Sequence, residues 1–234
     1  MVHNSRSGGV SVPRIHFQQQ LAALKDKLLA MAALSQQAVS SSVDAYLQRD
    51  AGLCQYVREN ETAINAAQRE VDEMAYELLA QEQPMAIDLR FILAVIKING
   101  DLERVGDQSM SIAIRTQELL AYPAVDLPVD IACMGEYASR MIRLAIQALL
   151  DADAQFAEAV VIMDDEIDRM NRVARAELMK VMEGQPEISL QALNAIIIAR
   201  ALERIADHAT NISKDVIFWI RGADVRHQVS AAID

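Results

Sequence analysis

The chain has 234 residues, about half of them apolar, with few aromatics, glycines or prolines and a formal net charge of −11. Ala and straight-chain residues lose little freedom in a helix, so this usage predicts an all-α protein. The acid surplus excludes nucleic acid as a partner, since affinity there comes from Lys and Arg on phosphates. It also disfavours docking on an anionic membrane, so membrane contact is expected only through partners.

Residues 1–14 read as a tail ending at Pro13, with no apolar signal segment. A first helix is predicted over 15–48, with Leu21, Leu24, Leu28, Met31, Leu34 and Ala38 at three- and four-residue steps. Asp50-Ala51-Gly52 is expected to break it. A second helix then runs to about Ala80, with Val57, Ile64, Val71 and Leu78 at seven-residue intervals. Pro84 separates it from a third helix over 86–120, and the prolines of 121–128 mark a boundary between halves. Helices over 129–150, 154–182 and 188–221 repeat the plan, and 223–234 is a second tail. The expectation is two tandem antiparallel three-helix bundles, 15–122 and 127–222, six long helices in all. Cys54 and Cys133 have no ligand-spaced neighbours and are expected as small core residues. No uncharged stretch reaches membrane-spanning length, so a cytoplasmic location is expected.

The halves are related by a phrase that occurs twice, Leu102-Glu103-Arg104-Val105-Gly106-Asp107 and Leu202-Glu203-Arg204-Ile205-Ala206-Asp207. A repeat of this length indicates duplication of one helical unit. At about 100° per residue each Glu-x-x-x-Asp pair stands on one helix face, opposite the apolar seam of Ile198, Leu202, Ile205, Ala209, Ile212, Val216 and Trp219 or of Ile98, Leu102, Val105 and Ile112. Both pairs are therefore expected to face outward. The preceding helices offer Glu61 and Asn65 around Ile64, and Asp164 and Asp168 around Ile167.

Two readings of the acidic pairs stay open. In one they are solvated, with Arg104 and Arg204 paired to Asp107 and Asp207 three residues on. In the other, oxygens from two adjacent helices hold a divalent ion: Glu61, Asn65, Glu103 and Asp107 in the first half, Asp164, Asp168, Glu203 and Asp207 in the second. Asn65 stands where a carboxylate is expected, so the first site is predicted to be the weaker. Nucleophile motifs, phosphate loops and Glu-x-x-His pairs do not occur, so no enzyme class is indicated. A metal-dependent helical enzyme or metal-storage protein is the alternative. Asp88 is read as complementing the dipole of helix three and Arg90 as a salt-bridge partner.

The segment 83–90 (Gln-Pro-Met-Ala-Ile-Asp-Leu-Arg), the segment 100–107 and the segment 201–212 closely resemble the PhoU family, as do the opening helix from His16 and the ending Asp215 to Gly222. The resemblance implies tandem three-helix bundles assembled as homodimers and no catalytic activity. It implies metal ions (Mg, Mn, Fe or Zn) on Glu61, Asn65, Glu103 and Asp107 and on Asp164, Asp168, Glu203 and Asp207. It further implies an adaptor between the ATPase subunit of a phosphate ABC transporter and a sensor histidine kinase, repressing the phosphate regulon when phosphate is plentiful. Asp88, Arg90, Arg104 and Arg204 are candidate partner contacts.

Overall fold

The computed structural model describes residues 12–82 and 84–222. Six long α-helices follow in order: α1 Val12–Gln48, α2 Ala51–Glu82, α3 Ala86–Leu119, α4 Ile131–Asp151, α5 Ala154–Gly184 and α6 Ser189–Arg221, the last preceded by a short 3₁₀ turn, Pro186–Ile188. At about 1.5 Å per residue, α3 is roughly 50 Å long. Of the expected tails, 1–11 and 223–234 lie outside the described residues. Val12 to Arg14 belong to α1 rather than to a tail. Pro13 stands in the first turn, where its missing N–H is not needed.

The break between α1 and α2 is tighter than the sequence suggested. Arg49 takes a positive φ of 54°, and the Asp50 carboxylate accepts the N–H groups of Gly52 at 2.6 Å and Leu53 at 3.2 Å. Ala51 and Gly52, expected within the break, are thus the start of α2, satisfied by a capping carboxylate. The second half repeats the device. Ala152 has φ 50°, and Asp153 accepts the N–H groups of Gln155 and Phe156. Arg49 adds a cap of its own by donating to the carbonyls of Leu119 and Tyr122 at the end of α3.

Within each half the apolar stripes face one another. Leu24, Leu28 and Met31 of α1, Val57, Ile64 and Val71 of α2, and Ile92, Ile98 and Leu102 of α3 are fully buried. So are Met141, Ile142, Ile167, Ile198, Leu202 and Ile205 in the second half. Buried polar groups cross between helices: Ser35 donates to the Leu102 carbonyl, Asn60 to that of Leu34, and Asn99 to the Gln68 carbonyl and the Asp72 carboxylate. Cys54 is buried as expected, but Cys133, near the start of α4, is exposed and takes no part in the core.

The halves share one continuous core and meet along two seams, α3 against α6 and α1 against α4. Along the first seam Arg90 Nε donates to the Trp219 carbonyl, Lys97 pairs with the buried Asp215 at 3.7 Å, and Asp101 meets His208 Nδ1 at 2.9 Å. Numbers rise along α3 as they fall along α6, so the helices are antiparallel. Equivalent positions of the two repeats come face to face only near Arg104 and Arg204. Along the second seam Lys25 donates to the Leu150 carbonyl, and α4 approaches α1 closely at Gly135, where a Cβ would stand 2.7 Å from Val43 Cγ1. Gly135 is needed here for space, since any side chain must displace Val43.

Gly135→Ala should therefore lower stability by about 1 kcal/mol despite alanine's better helix propensity, because overpacking costs more than propensity returns. Adding Val43→Ala should remove that penalty in urea unfolding. A penalty that persisted in the double variant would mean that α1 and α4 are not held at this distance.

Candidate functional site

The repeated phrase lies in the middle of α3 and of α6. Its apolar members, Leu102 and Val105 in one copy and Leu202 and Ile205 in the other, are fully buried, which fixes the rotation of each helix about its axis. Gly106 is buried against α2, and a Cβ there would come 3.0 Å from Ile64 Cδ1. Ile64 thus docks beside the phrase, and its flanking residue Glu61 comes close enough to Glu103 and Asp107 to repel both. In the second half the buried Ile167 of α5 plays the same part, bringing Asp164 and Asp168 to Glu203 and Asp207.

The faces are less open than periodicity suggested. Asp107 is exposed, but Glu103, Glu203, Asp207, Asp164 and Asp168 are half-buried. The helical wheel places the acids away from their own seam, as expected. It does not show that α2 and α5 flank the phrase and shield it from water.

That shielding sets the electrostatics. Burial, reinforced by the Asp107 charge and by Glu61, raises the Glu103 pKa against the pull of Arg104. Asp107 is raised by burial and by Glu61. In the second half, burial and Asp168 raise Glu203. Asp164 is raised chiefly by burial, although Thr210 Oγ1 donates to its Oδ1 at 3.0 Å. Asp207 is pushed up to about 6, by burial first and then by Glu203, Asp164 and Asp168 together. The two faces differ at one further contact: Asn65 Nδ2 donates to Glu61 Oε1 at 2.5 Å, so an amide quiets the first face where Asp168 adds charge to the second.

The arginines relieve this crowding only in part, by attraction at a distance. Among the described residues neither Arg104–Asp107 nor Arg204–Asp207 forms an ion pair within 4.0 Å, although Arg115–Glu118 and Arg169–Glu166 do so at the same spacing. The expected pairing of each arginine with the aspartate three residues on is therefore not formed, while Asp107 is open to solvent. Arg90 is likewise in no salt bridge among the described residues, and its guanidinium caps the C-terminal end of α6. Asp88 stands in the first turn of α3, as expected for a dipole partner. Asp88 and Arg90 lie roughly 20 Å along α3 from Arg104, so the four candidate partner residues do not form one patch.

The donor chemistry suits a hard cation, because carboxylate oxygens from two adjacent helices meet and repel one another despite the nearby cations. As arranged, no group of three or more Asp, Glu, His or Cys side chains among the described residues converges closely enough to enclose a metal ion. Periodicity overlooked Asp101 and His208, which join the halves beside both acidic faces. Their signal is that the repeats differ there, with Ala201 opposite Asp101 and Gln108 opposite His208.

The PhoU domain model matches this chain twice, over residues 28–116 and 131–216, on either side of the connection between α3 and α4. The chain belongs to the PhoU family. It is 39% identical over 212 residues to a phosphate-specific transport system accessory protein PhoU homolog of Pseudomonas putida, covering 90% of this chain and 83% of that protein. The crystal structure of PhoU from Pseudomonas aeruginosa superposes with a TM-score of 0.86 at 36% identity, over 88% of this chain and 100% of that one. A phosphate transport system regulatory protein PhoU from Streptococcus pneumoniae superposes at 0.82 with 25% identity, over 89% and 99% of the two chains. These relatives are named accessory and regulatory proteins, not enzymes. No described helix of this family member is long and apolar enough to cross a membrane.

The raised Asp207 pKa has a definite linkage sign. The folded value of about 6 lies above the usual 3.8, so the fold favours the protonated acid. This contribution to stability is fully present below about pH 4 and is lost as pH rises through about 6. Asp207→Asn, which fixes a neutral side chain, should stabilise the protein in chelator by about 1 kcal/mol at pH 8, after allowance for solvent screening. Urea unfolding at pH 4 should show no difference between the two proteins. An equal effect at both pH values would rule out charge as its cause.

Proposed function

We propose that this protein is a non-enzymatic regulator of phosphate uptake and of the response to phosphate starvation. It acts at the cytoplasmic face of the membrane as an adaptor between the ATPase subunit of a phosphate ABC transporter and a sensor histidine kinase. When phosphate is plentiful it holds the kinase in its inhibitory state and limits uptake. The observation that carries this reading is likeness along both repeats, in order, to accessory and regulatory proteins of phosphate-specific transport. The long helices supply extended faces for two partners, and a homodimer would present each face twice.

We also propose that the acidic faces take up divalent cations, Mg, Mn, Fe or Zn. Asp164, Asp168, Glu203 and Asp207 would hold the ion of the second half, and Glu103 and Asp107 with Glu61 and Asn65 that of the first. Its chemistry would be charge neutralisation: a cation removes the mutual repulsion that raises the pKa of Asp207 and Glu203. The second face should bind more tightly, because Asn65 already satisfies Glu61 on the first. Supporting this reading are the oxygen-rich donor set and the absence of ion pairs from Arg104 and Arg204 to their neighbouring acids; it requires the carboxylates to close on the ion.

Deletion of the gene should derepress alkaline phosphatase in phosphate-replete cells, and the wild-type gene should restore repression. Continued repression in the deletion strain would remove the signalling role. In vitro, a cation at a hundred times its Kd adds about 2.7 kcal/mol, so millimolar Mn²⁺ should raise Tm measurably. Glu203→Gln with Asp207→Asn should abolish most of that rise and Glu103→Gln with Asp107→Asn less of it. A rise indifferent to both pairs would dismiss these faces as the metal sites.

A further inference from the structure

The junction of the two repeats contains a groove of about 380 Å³ that borders the second acidic face and shares Asp164 and Asp207 with it. Its walls come from α3, α6 and, at Asp164, α5, and its donors are Arg104 and Gln108 from α3 and Arg204, Asn211 and Lys214 from α6. The arginines occupy equivalent positions of the duplicated phrase, as do Gln108 and His208, and the antiparallel register brings these positions together only here. Carboxylates outnumber Lys and Arg in the chain, 33 to 22. Ion pairs form at the surface in places, as in Lys27–Glu70, Lys180–Glu177 and Arg221–Glu158, but most Lys and Arg side chains of the described residues have none. Among the described residues Arg104, Arg204 and Lys214 have no carboxylate oxygen within 4.0 Å. Three long cations thus converge on one groove, drawn towards Glu103, Asp107, Glu203 and Asp164 without closing on them as ion pairs, and their N–H donors are open to an anion from solution.

The acids at the groove narrow the class of anion. Asp164 accepts the Thr210 hydroxyl, and Asp101, on the adjoining stretch of the same groove, is bonded to His208. Asp207 lines the groove without such a hydrogen bond. An ionised carboxylate can only accept, so beside an anion it tolerates an oxygen that carries a proton and repels one that does not. Near neutral pH inorganic phosphate carries an O–H in both of its common forms. Sulfate carries none, and a phosphate monoester dianion carries none.

We propose that this groove is a binding site for inorganic phosphate, with Arg104, Arg204 and Lys214 as its cationic donors, Gln108 and Asn211 as neutral donors, and Asp207 accepting the phosphate O–H. Guanidinium groups present paired N–H donors that match two phosphate oxygens at once. The site deepens the phosphate-regulation reading without depending on it, because binding by the isolated chain is independent of any transporter or kinase.

The test is equilibrium dialysis of full-length protein against radiolabelled phosphate at pH 8 with chelator present, so that metal–phosphate contacts contribute nothing. Saturable binding near one phosphate per chain is expected, with sulfate and phenyl phosphate at least tenfold weaker as competitors. Loss of a charged hydrogen bond is worth about a factor of ten or more, so Arg204→Gln and Arg104→Gln should each weaken binding about tenfold, and Arg204→Lys less. Both arginines are exposed, and unchanged unfolding curves would establish that the variants fold. Asp207→Asn should keep phosphate binding while admitting sulfate. Absence of saturable binding, equal competition by sulfate against wild type, or indifference to both arginine substitutions would each overturn the proposal. Phosphate binding without derepression in the deletion strain would leave the site standing and remove only the regulatory reading.

Discussion

The antiparallel packing of α3 on α6 is the constraint from which most of the structure follows. These two helices carry the duplicated phrase, and each packs within its own half while lying against the other across the junction. Leu102 and Val105 on one, and Leu202 and Ile205 on the other, are fully buried, so neither helix can rotate without exposing core. With rotation fixed, the positions of Glu103, Asp107, Glu203 and Asp207 are consequences rather than independent choices. The polar contacts along this seam, Arg90 to Trp219, Lys97 to Asp215 and Asp101 to His208, set its register. Register in turn decides which residues of the two repeats become neighbours.

Duplication gave the halves the same frame, and later divergence gave them different chemistry. Ile64 and Ile167 dock at the same place, but the small residue at the phrase is Gly106 in one copy and Ala206 in the other. Asn65 donates to Glu61, whereas its counterpart Asp168 repels Glu203 and Asp207. Both faces hold acids raised by burial and mutual repulsion, but the second carries one carboxylate more. The difference is a single amide for a carboxyl, and at half-buried positions that substitution outweighs much larger changes on the surface.

The helix periodicities were plainly legible in the amino-acid pattern. Runs such as Val57, Ile64, Val71 and Leu78 admit one helical face, and all four are buried. The phrase itself disclosed the duplication and the acidic pairs. Less visible was anything that depends on how helices lie beside one another. Asp50-Ala51-Gly52 looks like a break because Gly is a poor helix former, but the Asp carboxylate caps the turn and makes Gly52 part of the helix. Cys133 looks apolar, yet it lies at the exposed start of α4. Arg104 and Arg204 have acids at ideal spacing and do not take them, because local spacing alone does not set a long side chain's direction. The Asp101–His208 contact spans 107 residues, and no local period encodes it.

The close approach at Gly135 and Val43 has a mechanical consequence. Two bodies joined along one line can roll about it, as a door turns on its hinge. Here a second line of contact, α1 on α4, runs beside the first and is drawn tight where a glycine lets the helices nearly touch. Rolling about either line would prise the other apart and expose core shared by both. The molecule is thus built as a stiff spar.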